Sequence, residues 1–404
     1  MSYATFTPRS ASITSFKTAD GKNLALHFEN ELNYSRPENQ FLGEFSNISY
    51  NHIDYWQKIT PGASIGRVAN RIYGENIEVA GKTWPLNYNK ESEVTLHGGV
   101  KGWDKAWVSF LFFFYPIHVP WAIYPSDKFH RLITHQCSIN AVYTLLTLFK
   151  SDWKGGETKI VNGKEVTVFT HHSPHLDQGF PGSVDAKVTY TSYKQVDPAD
   201  NIEKVYLELE YEAVLAEDSP VDETVISLTN HNFFNVSEAG VTNAGTQLKV
   251  FSNQTILHDQ ETLVPTGQIG AHPDIPVDLD FFTLTKTEPE IDHAFFVEDS
   301  PEFKGLDTRE YRAVQPHVHI YNPESKINVV VGSTEPVFQV YTGKFMNIPL
   351  LPGESRTFEK NSCIACEPAR PTNAAKTPKW KNWVLLKKGE KYGSKIVYTN
   401  WVSK

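Results

Sequence analysis

The segment from Glu203 to Leu215 alternates between apolar and polar side chains, and this two-residue period constrains the fold more than any other feature. Such alternation is typical of a half-buried β-strand whose apolar side chains face a core. Helical periodicity is scarce, and Gly, Pro, Asn and Asp divide the chain into short pieces. The same pattern recurs in Val314 to Tyr321, Ile327 to Gly332 and Val337 to Tyr341. The sequence therefore predicts an all-β fold, a large antiparallel β-sandwich.

Composition limits the classes of function. The 404 residues carry a formal net charge of −9, which argues against a nucleic-acid partner. Aromatic residues make up 13% of the chain, a content that fits both stacking on carbohydrate and a large β core. Neither an internal repeat nor a linker divides the sequence, so residues 1–404 are predicted to form a single domain.

The cysteines and the N-terminus indicate an intracellular protein. Cys137, Cys363 and Cys366 are the three cysteines, too few to imply a disulfide framework. Because strand alternation turns Cys363 and Cys366 to opposite faces, packing in the core is predicted for both, rather than redox chemistry or zinc binding. The segment Met1 to Arg9 lacks the apolar stretch of a secretory signal, and a cytoplasmic location is expected.

Residues 108–150 do not match their surroundings. The run from Val108 to Ile123 is apolar and uncharged, but Pro116 and Pro120 interrupt it, and it is short for a membrane span. Our hypothesis is that this segment is either a translated intron or a lineage-specific insertion. Sequencing the mature transcript decides between a coding and a non-coding origin.

The stretch from Asn230 to Asn235 places His231 between amides and aromatic rings, directly after the β-branched run Val225 to Thr229. Histidine titrates near neutrality and can transfer protons, while aromatic rings give a sugar a flat apolar wall. Asn232 and Phe233 are therefore predicted to bind the substrate beside this histidine. On this motif alone, a hydrogen-bonded core histidine is the alternative interpretation.

Two earlier stretches add candidate polar groups. Arg67, Asn70 and Arg71 lie among small residues and offer fixed donors and acceptors for hydroxyl groups. A surface turn with one structural ion pair is the alternative. Further on, His97 precedes a pair of glycines, which allow close approach of the backbone. Its alternative is a glycine-rich turn with a solvated histidine.

Three later candidates lie on or next to strand-like segments. Asp292 follows a long loop with many Pro and precedes His293, and Gln339 lies within a predicted strand. Glu367 follows an apolar strand, where partial desolvation would raise the pKa of its carboxyl towards that of a useful base.

A cluster of His171, His172 and His175 is predicted to lie in a solvated Ser/Pro loop, because no acidic or Cys partner has metal-ligand spacing. The sequence also lacks the Gly-x-Gly-x-x-Gly motif of dinucleotide sites, a complete phosphate loop and a Gly-x-Ser-x-Gly elbow. We therefore expect neither a cofactor nor a metal.

Taken in chain order, these stretches resemble the aldose 1-epimerase (galactose mutarotase) family. Each is weak alone, but the ordered set is specific and covers the chain from about Phe16 to Trp401. The matching stretches are Gly66 to Ile72, Leu96 to Gly99, Gly102 to Lys105, Gly179 to Gly182, Leu228 to His231 with Phe234 and Asn235, Asp292 with His293, Gln339 to Gly343, and Glu367. The resemblance implies a galactose mutarotase-like supersandwich with a sugar cleft on one face. Pro368 and Ala369 replace the Thr-Gln that often follows the glutamate, and residues 108–150 have no counterpart.

The resemblance also implies roles, position by position. Glu367 matches the family's general base, His231 its general acid, and His97 the second histidine of the site. The residues that match those holding the sugar hydroxyls are Asn70, Arg71, Asp292 and Gln339.

The expected function is that of an isomerase, an aldose 1-epimerase that interconverts the α and β anomers of free aldohexoses such as D-glucose and D-galactose. A hexose-6-phosphate 1-epimerase is the first alternative, although Arg67 and Arg71 are the only obvious pair for a phosphate. A non-catalytic sugar-binding protein is the second, but it has no need of both Glu367 and His231. The expected partner is a small-molecule aldose, without nucleic acid or membrane, and the protein is expected to be monomeric.

Overall fold

The computed structural model describes residues 2–30, 33–34, 61–89, 93–104, 153–237, 240–259, 264–298 and 302–404, and the backbone of residues 108–115 and 141–149. These parts of the chain form strands joined by turns and short 3-10 helices. The first strands are β1 (Ala4–Thr7), β2 (Ser12–Phe16), β3 (Ala63–Ile65), β4 (Arg71–Tyr73), β5 (Asn76–Val79), β6 (Lys82–Pro85), β7 (Val94–Leu96), β8 (Val108–Tyr115) and β9 (Ala141–Phe149). The next are β10 (Lys154–Val161), β11 (Lys164–Ser173), β12 (Val184–Val196), β13 (Glu203–Leu215), β14 (Glu223–Val225), β15 (Thr229–His231), β16 (Phe233–Phe234), β17 (Gln247–Val250) and β18 (Gln254–His258). The last are β19 (Pro265–Ala271), β20 (Phe282–Thr283), β21 (Asp292–Phe296), β22 (Gln315–Tyr321), β23 (Ile327–Ser333), β24 (Val337–Tyr341), β25 (Ile364–Ala369), β26 (Leu385–Lys387) and β27 (Tyr392–Val402). The 3-10 helices cover Asp177–Gly179, Thr308–Glu310, Ala374–Lys376 and Lys381–Trp383.

Two large antiparallel sheets dominate the fold. One has nine strands in the order β10-β11-β12-β13-β27-β23-β22-β17-β20, and the other has six in the order β16-β25-β24-β21-β18-β19. A single apolar cluster includes Leu207 and Leu209 from the larger sheet and Phe295, Val340 and Cys366 from the smaller one. The main core therefore lies between the two sheets, and the predicted β-sandwich is confirmed.

The strands that alternation predicted are present. β13 spans Glu203–Leu215, and its residues Leu207 and Tyr211 are fully buried as expected. β22, β23 and β24 occupy the other predicted segments, with ends that differ by at most one residue. The run Val225 to Thr229 is not continuous, because its two ends pair with different strands: β14 pairs with β26, and β15 pairs with β3.

The prediction of a solvated loop at the histidine cluster was wrong for the backbone of His171 and His172, although the side chain of His172 is exposed as expected. His171 and His172 belong to β11, which pairs along its length with β12. The ring of His171 stacks on that of Trp153 at 5.2 Å and packs against Trp103 at 4.9 Å. Burial lowers the pKa of His171 to about 4, so this imidazole is a neutral packing group near pH 7.

The cysteine prediction is confirmed for the two cysteines in the described residues. Cys363 packs in a cluster with Phe233 and Tyr341, whereas Cys366 packs in the main core on the other side of the sheet. Both thiols are free and fully buried. Cys137 lies outside the described residues.

Within the atypical segment, β8 and β9 pair as an antiparallel two-stranded sheet, from Val108 opposite Phe149 to Tyr115 opposite Ala141. Residues 116–140 and 150 lie outside the described part of the chain, and the intron or insertion hypothesis stays a prediction. In the parts of the chain that the structure covers, no helix has the length and apolar character needed to cross a membrane.

Candidate active site

The six-stranded sheet presents a row of polar side chains on one face. Gln339 of β24 lies in register with Glu367 of β25 on one side and with Ala294 of β21 on the other. Residues of the opposite parity, such as Cys366, point into the main core. Asp292, two residues before Ala294 on β21, therefore projects from the same face as Gln339 and Glu367.

His231 and Glu367 form a buried pair at one end of this row. Nε2 of His231 lies 3.2 Å from Oε1 of Glu367, and each side chain is 4% exposed. The ring of Phe233 lies 4.7 Å from the imidazole. The two ionisable groups are in direct contact away from water, so a proton can pass between them.

Burial moves the pKa values of this pair in opposite directions. It raises the pKa of the Glu367 carboxyl to about 8, with a further increase from the charge of Asp292 and an opposing effect of Arg71. It lowers the pKa of the His231 imidazole to about 4. Between these values the pair holds one proton, which rests mainly on Glu367.

His97 joins the pair from a glycine-rich turn. Its ring centroid lies 5.3 Å from that of His231, and its Nδ1 accepts a hydrogen bond of 3.3 Å from the backbone N–H of Asn70. The adjoining Gly98 has φ of 81°, and a Cβ there would lie 2.0 Å from the carbonyl oxygen of Gly66. The predicted close approach of the backbone is thus confirmed, and only glycine fits at this position. Since Nδ1 accepts, the neutral imidazole of His97 carries its proton on Nε2.

Four of the predicted sugar-binding residues form a closed ring of polar contacts. Asn70 Nδ2 donates to Gln339 Oε1 at 2.9 Å, and Gln339 Nε2 donates to Asp292 Oδ1 at 2.6 Å. Asp292 Oδ2 lies 3.5 Å from Nη2 of Arg71, whose Nη1 donates to Asn70 Oδ1 at 3.2 Å. Each side chain is held by two others, so the donors and acceptors stand in fixed positions beside Glu367.

The remaining two predicted binding residues are placed differently. Phe233 is buried against His231 on one side and against Tyr341 on the other, where the ring centroids are 6.4 Å apart. It therefore supports the imidazole through packing. Asn232 is fully buried, and among the described residues neither of its side-chain polar atoms has a hydrogen-bond partner. Its role in substrate binding stays a prediction.

Arg67 and Arg71 lie close together in the sequence but contact different parts of the structure. Arg67 is buried, and its guanidinium donates to the carbonyl oxygens of Pro181 and Gly182 and to the hydroxyl of Ser173. It anchors the predicted turn at 179–182 rather than the site. Arg71, partly exposed, faces the polar ring.

One set of side chains in the site also has the spacing of metal ligands. His97, His231 and Glu367 each offer a ligand atom, and these atoms lie within 4.8 Å of one another. The tautomer of His97 opposes metal binding, because the nitrogen that is not occupied by Asn70 carries a proton. The arrangement therefore suits proton transfer better than metal coordination.

Two further histidines lie on this sheet: His258, which the sequence did not predict near the site, and His293, which follows Asp292 in the matched motif. His293 has the opposite parity to Asp292 on β21, and its Nδ1 lies 3.0 Å from Nε2 of His272, away from the polar ring. His258 ends β18, which pairs with β21 at Thr255 and Phe295, and it is close enough to Asp292 and Arg71 for their charges to affect its pKa. No local motif marks His258, because only strand pairing places it there.

Comparison with known proteins identifies the family. A model of the Aldose 1-epimerase family matches residues 147–399. The bifunctional protein gal10 of Schizosaccharomyces pombe is 29% identical over 381 residues, which cover 94% of this chain and 41% of that protein. Human galactose mutarotase is 28% identical over 346 residues, covering 84% of this chain and 77% of the human protein.

A solved structure shows the same fold. The GalM/aldose epimerase homologue from C. elegans superposes with a TM-score of 0.65 at 20% identity, over 99% of this chain and 96% of that one. This chain spans about two fifths of the length of the gal10-type relatives that it matches. The family match over residues 147–399 confirms the resemblance that the ordered motifs predicted. The chain belongs to the aldose 1-epimerase family.

Proposed function

We propose that this protein is an aldose 1-epimerase, which interconverts the α and β anomers of free aldohexoses such as D-glucose and D-galactose. The observation that carries the proposal is the buried contact of 3.2 Å between Nε2 of His231 and Oε1 of Glu367. Membership of the family supports the reaction class, and the human relative is named a galactose mutarotase.

The exchange of anomers requires one proton to leave the anomeric hydroxyl O1 and one to reach the ring oxygen O5. Glu367, as carboxylate, takes the O1 proton, while His231, as imidazolium, protonates O5 and the C1–O5 bond breaks to give the open-chain aldehyde. Rotation about C1–C2 presents the other face of the aldehyde, and the reverse transfers close the ring. Each proton transfer contributes about 10²–10⁴-fold to the rate. This chemistry requires neither a covalent intermediate nor a redox cofactor.

The protonation of the pair supports this assignment. Because the pKa of Glu367 is about 8 and that of His231 about 4, the pair consists of a neutral carboxyl beside a neutral imidazole near pH 7. This is also the protonation state that the pair reaches when the sugar ring is open. The direct contact lets the proton move from Glu367 to His231 when a closed-ring sugar binds. The low polarity of the site then favours ring opening, since opening returns both groups to their neutral forms.

The surrounding groups supply orientation. The polar ring offers donors and acceptors for several hydroxyls and is already ordered by its own hydrogen bonds, which reduces the entropy lost when a sugar binds. His97, whose ring centroid lies 5.3 Å from that of His231, assists at the ring oxygen through its Nε2–H. Arg71 is close enough to lower the pKa of Glu367 and to favour negative charge on O1.

The geometry disfavours the two alternatives. A phosphorylated sugar would need a cluster of free cations, but Arg67 is committed to carbonyl oxygens and Arg71 lies against Asp292. A sugar sensor would need the polar ring but not a buried carboxyl with a raised pKa beside a histidine.

Polarimetry tests the proposal. We would follow the optical rotation of freshly dissolved α-D-glucose, α-D-galactose and α-D-glucose 6-phosphate with the wild-type protein, Glu367→Gln and His231→Asn. His319→Asn serves as the matched control, because this histidine bonds to Asn328 on the nine-stranded sheet. We expect acceleration with the free sugars, a loss of about 10²–10⁴-fold in both site variants, and no loss in the control. Sugar binding without acceleration would refute the enzyme, and preference for the phosphate ester would replace it with the hexose-6-phosphate reaction. A variant lacking residues 108–150 in the same assay tests whether the atypical segment is dispensable.

A further inference from the structure

We propose that His258 is a further substrate-contacting residue, which recognises the hydroxyl on C3 of the sugar. The inference rests on the proposed function, because the orientation of the sugar ring follows from the roles of Glu367 and His231. The inference is based on the position of His258, which lies across the six-stranded sheet from Glu367 and His231.

Strand pairing brings His258 to the site. β18 lies next to β21, and Thr255 pairs with Phe295 in antiparallel register. Counting three residues further along this register places His258 opposite Asp292. Ile256, two residues earlier on β18, packs with Ala294 on the face that carries the polar row. Because alternate residues of a strand share a face, the imidazole of His258 projects from that same face.

The electrostatics agree with this placement. Burial lowers the pKa of His258, the charge of Arg71 lowers it further, and the charge of Asp292 raises it. The half-buried imidazole is therefore within electrostatic range of Arg71 and Asp292, the two charged members of the polar ring, and it is neutral near pH 7. A neutral imidazole offers one donor and one acceptor, the combination that suits a hydroxyl.

The imidazole is also available. Among the described residues, none forms a hydrogen bond with either ring nitrogen of His258. By contrast, His293 bonds to His272, and His319 bonds to Asn328. A half-buried imidazole that makes no hydrogen bond to the described residues and lies beside the polar row is better placed to bind a ligand than to stabilise the core.

The strand spacing of the sheet and the geometry of the pyranose ring indicate which sugar hydroxyl lies near His258. From β25, which carries Glu367, to β18 there are three strand spacings, about 14 Å in all. The sugar lies between them with C1 at Glu367 and O5 towards His231, on the side of β25 away from β24. In a six-membered ring the atom across from O5 is C3. The hydroxyl on C3 therefore points along the row towards β18, which ends at His258.

The test compares two sugars in three forms of the protein. We would measure kcat/KM with D-glucose and with 3-deoxy-D-glucose for the wild type, His258→Phe and His258→Gln, with His319→Phe as a matched control. One hydrogen bond to an uncharged group corresponds to a loss of about tenfold, so His258→Phe should lose about tenfold on D-glucose. It should lose less than about twofold on 3-deoxy-D-glucose, which has no group to lose. His258→Gln should keep most of the activity because its amide can replace the imidazole.

Equal losses on both sugars, or no loss on D-glucose, would overturn the contact. Calorimetric titration with the same two sugars and the same variants measures binding without turnover. A wild type that accelerates neither sugar but binds D-glucose better than 3-deoxy-D-glucose, with the difference removed by His258→Phe, would refute the proposed function and keep the contact. Equal binding of the two sugars by the wild type would refute the contact itself.

Discussion

Replacing Glu367 by Gln should make the protein more stable at alkaline pH while it abolishes catalysis. The pKa of the Glu367 carboxyl is about 8 in the folded protein, against an ordinary value of 4.5. Between these values the unfolded chain has lost the proton and the folded protein still holds it. The folded state then binds more protons, so its stability is fully present below pH 4.5 and decreases as the pH rises through 8.

The size of the effect follows from the two pKa values. Each pH unit in this window costs the folded wild type about 1.4 kcal/mol relative to a variant that cannot ionise there. Between pH 5 and pH 8.5 the difference in unfolding free energy should therefore change by about 4 kcal/mol in favour of Glu367→Gln. The amide has nearly the same shape as the carboxyl, so packing contributes little to the comparison.

Urea titrations followed by tryptophan fluorescence at pH 5, 6, 7 and 8.5 measure this difference. Glu157→Gln is the control, because that carboxylate is 80% exposed and its removal should leave the pH dependence unchanged. If wild type and Glu367→Gln lose stability in parallel across the pH range, Glu367 titrates as an exposed glutamate and the reasoning about its buried proton is wrong. Divergence together with lost mutarotation would show that the carboxyl is kept for catalysis at a cost in stability.

Three further outcomes are expected. The pH profile of kcat/KM should be flat between about pH 4 and pH 8. Below this range His231 adds a second proton to the His231–Glu367 pair, and above it Glu367 loses the single proton that the pair holds. A profile that rises steadily through pH 8 would contradict this expectation. Gln339→Leu should raise KM and lower the unfolding free energy by about 1–3 kcal/mol, because Asn70 and Asp292 each lose one of their two polar contacts in the ring. Unchanged urea curves would argue against the closed polar ring. Arg67→Lys should lower the unfolding free energy by about 3 kcal/mol without changing KM, because an ammonium group cannot donate to the same set of carbonyl oxygens. The matched change Arg71→Lys should raise KM with little loss of stability. The reverse pattern would exchange the two roles.

The sequence predicted the strands and most of the site because both have local signals. The alternation of apolar and polar side chains predicts β13 from its own sequence, whichever strands pair with it. The groups on strand ends and in the glycine-rich turn are those that proton transfer and hydroxyl binding need. The structure brings Asn70, Gln339 and Asp292 together as one connected set, although Asn70 is more than 200 residues away from the other two in the chain.

The predictions that were wrong or missing have a common physical cause: the environment of each residue depends on partners that are distant in the sequence. His171 looks solvated in a Ser/Pro stretch, but it stacks on Trp153, and only the fold brings that ring to it. Arg67 and Arg71 have the same chemistry and neighbouring positions, yet the carbonyls of a turn more than 100 residues away decide which one is structural. His258 lies next to the candidate site because β18 pairs with β21, and no local pattern predicts that pairing.

The strand β27 has a consequence for the synthesis of the protein. It pairs with β13 on one side and with β23 on the other, so it joins β10–β13 to the four strands β23, β22, β17 and β20. Until Tyr392 and the residues after it have been synthesised, the edges of β13 and β23 that pair with β27 lack this partner, and the two sets of four strands cannot join into one sheet. Each nascent chain must keep these edges apart from neighbouring chains until residues 392–402 have emerged, and a stop codon shortly before Tyr392 would leave the edges open permanently.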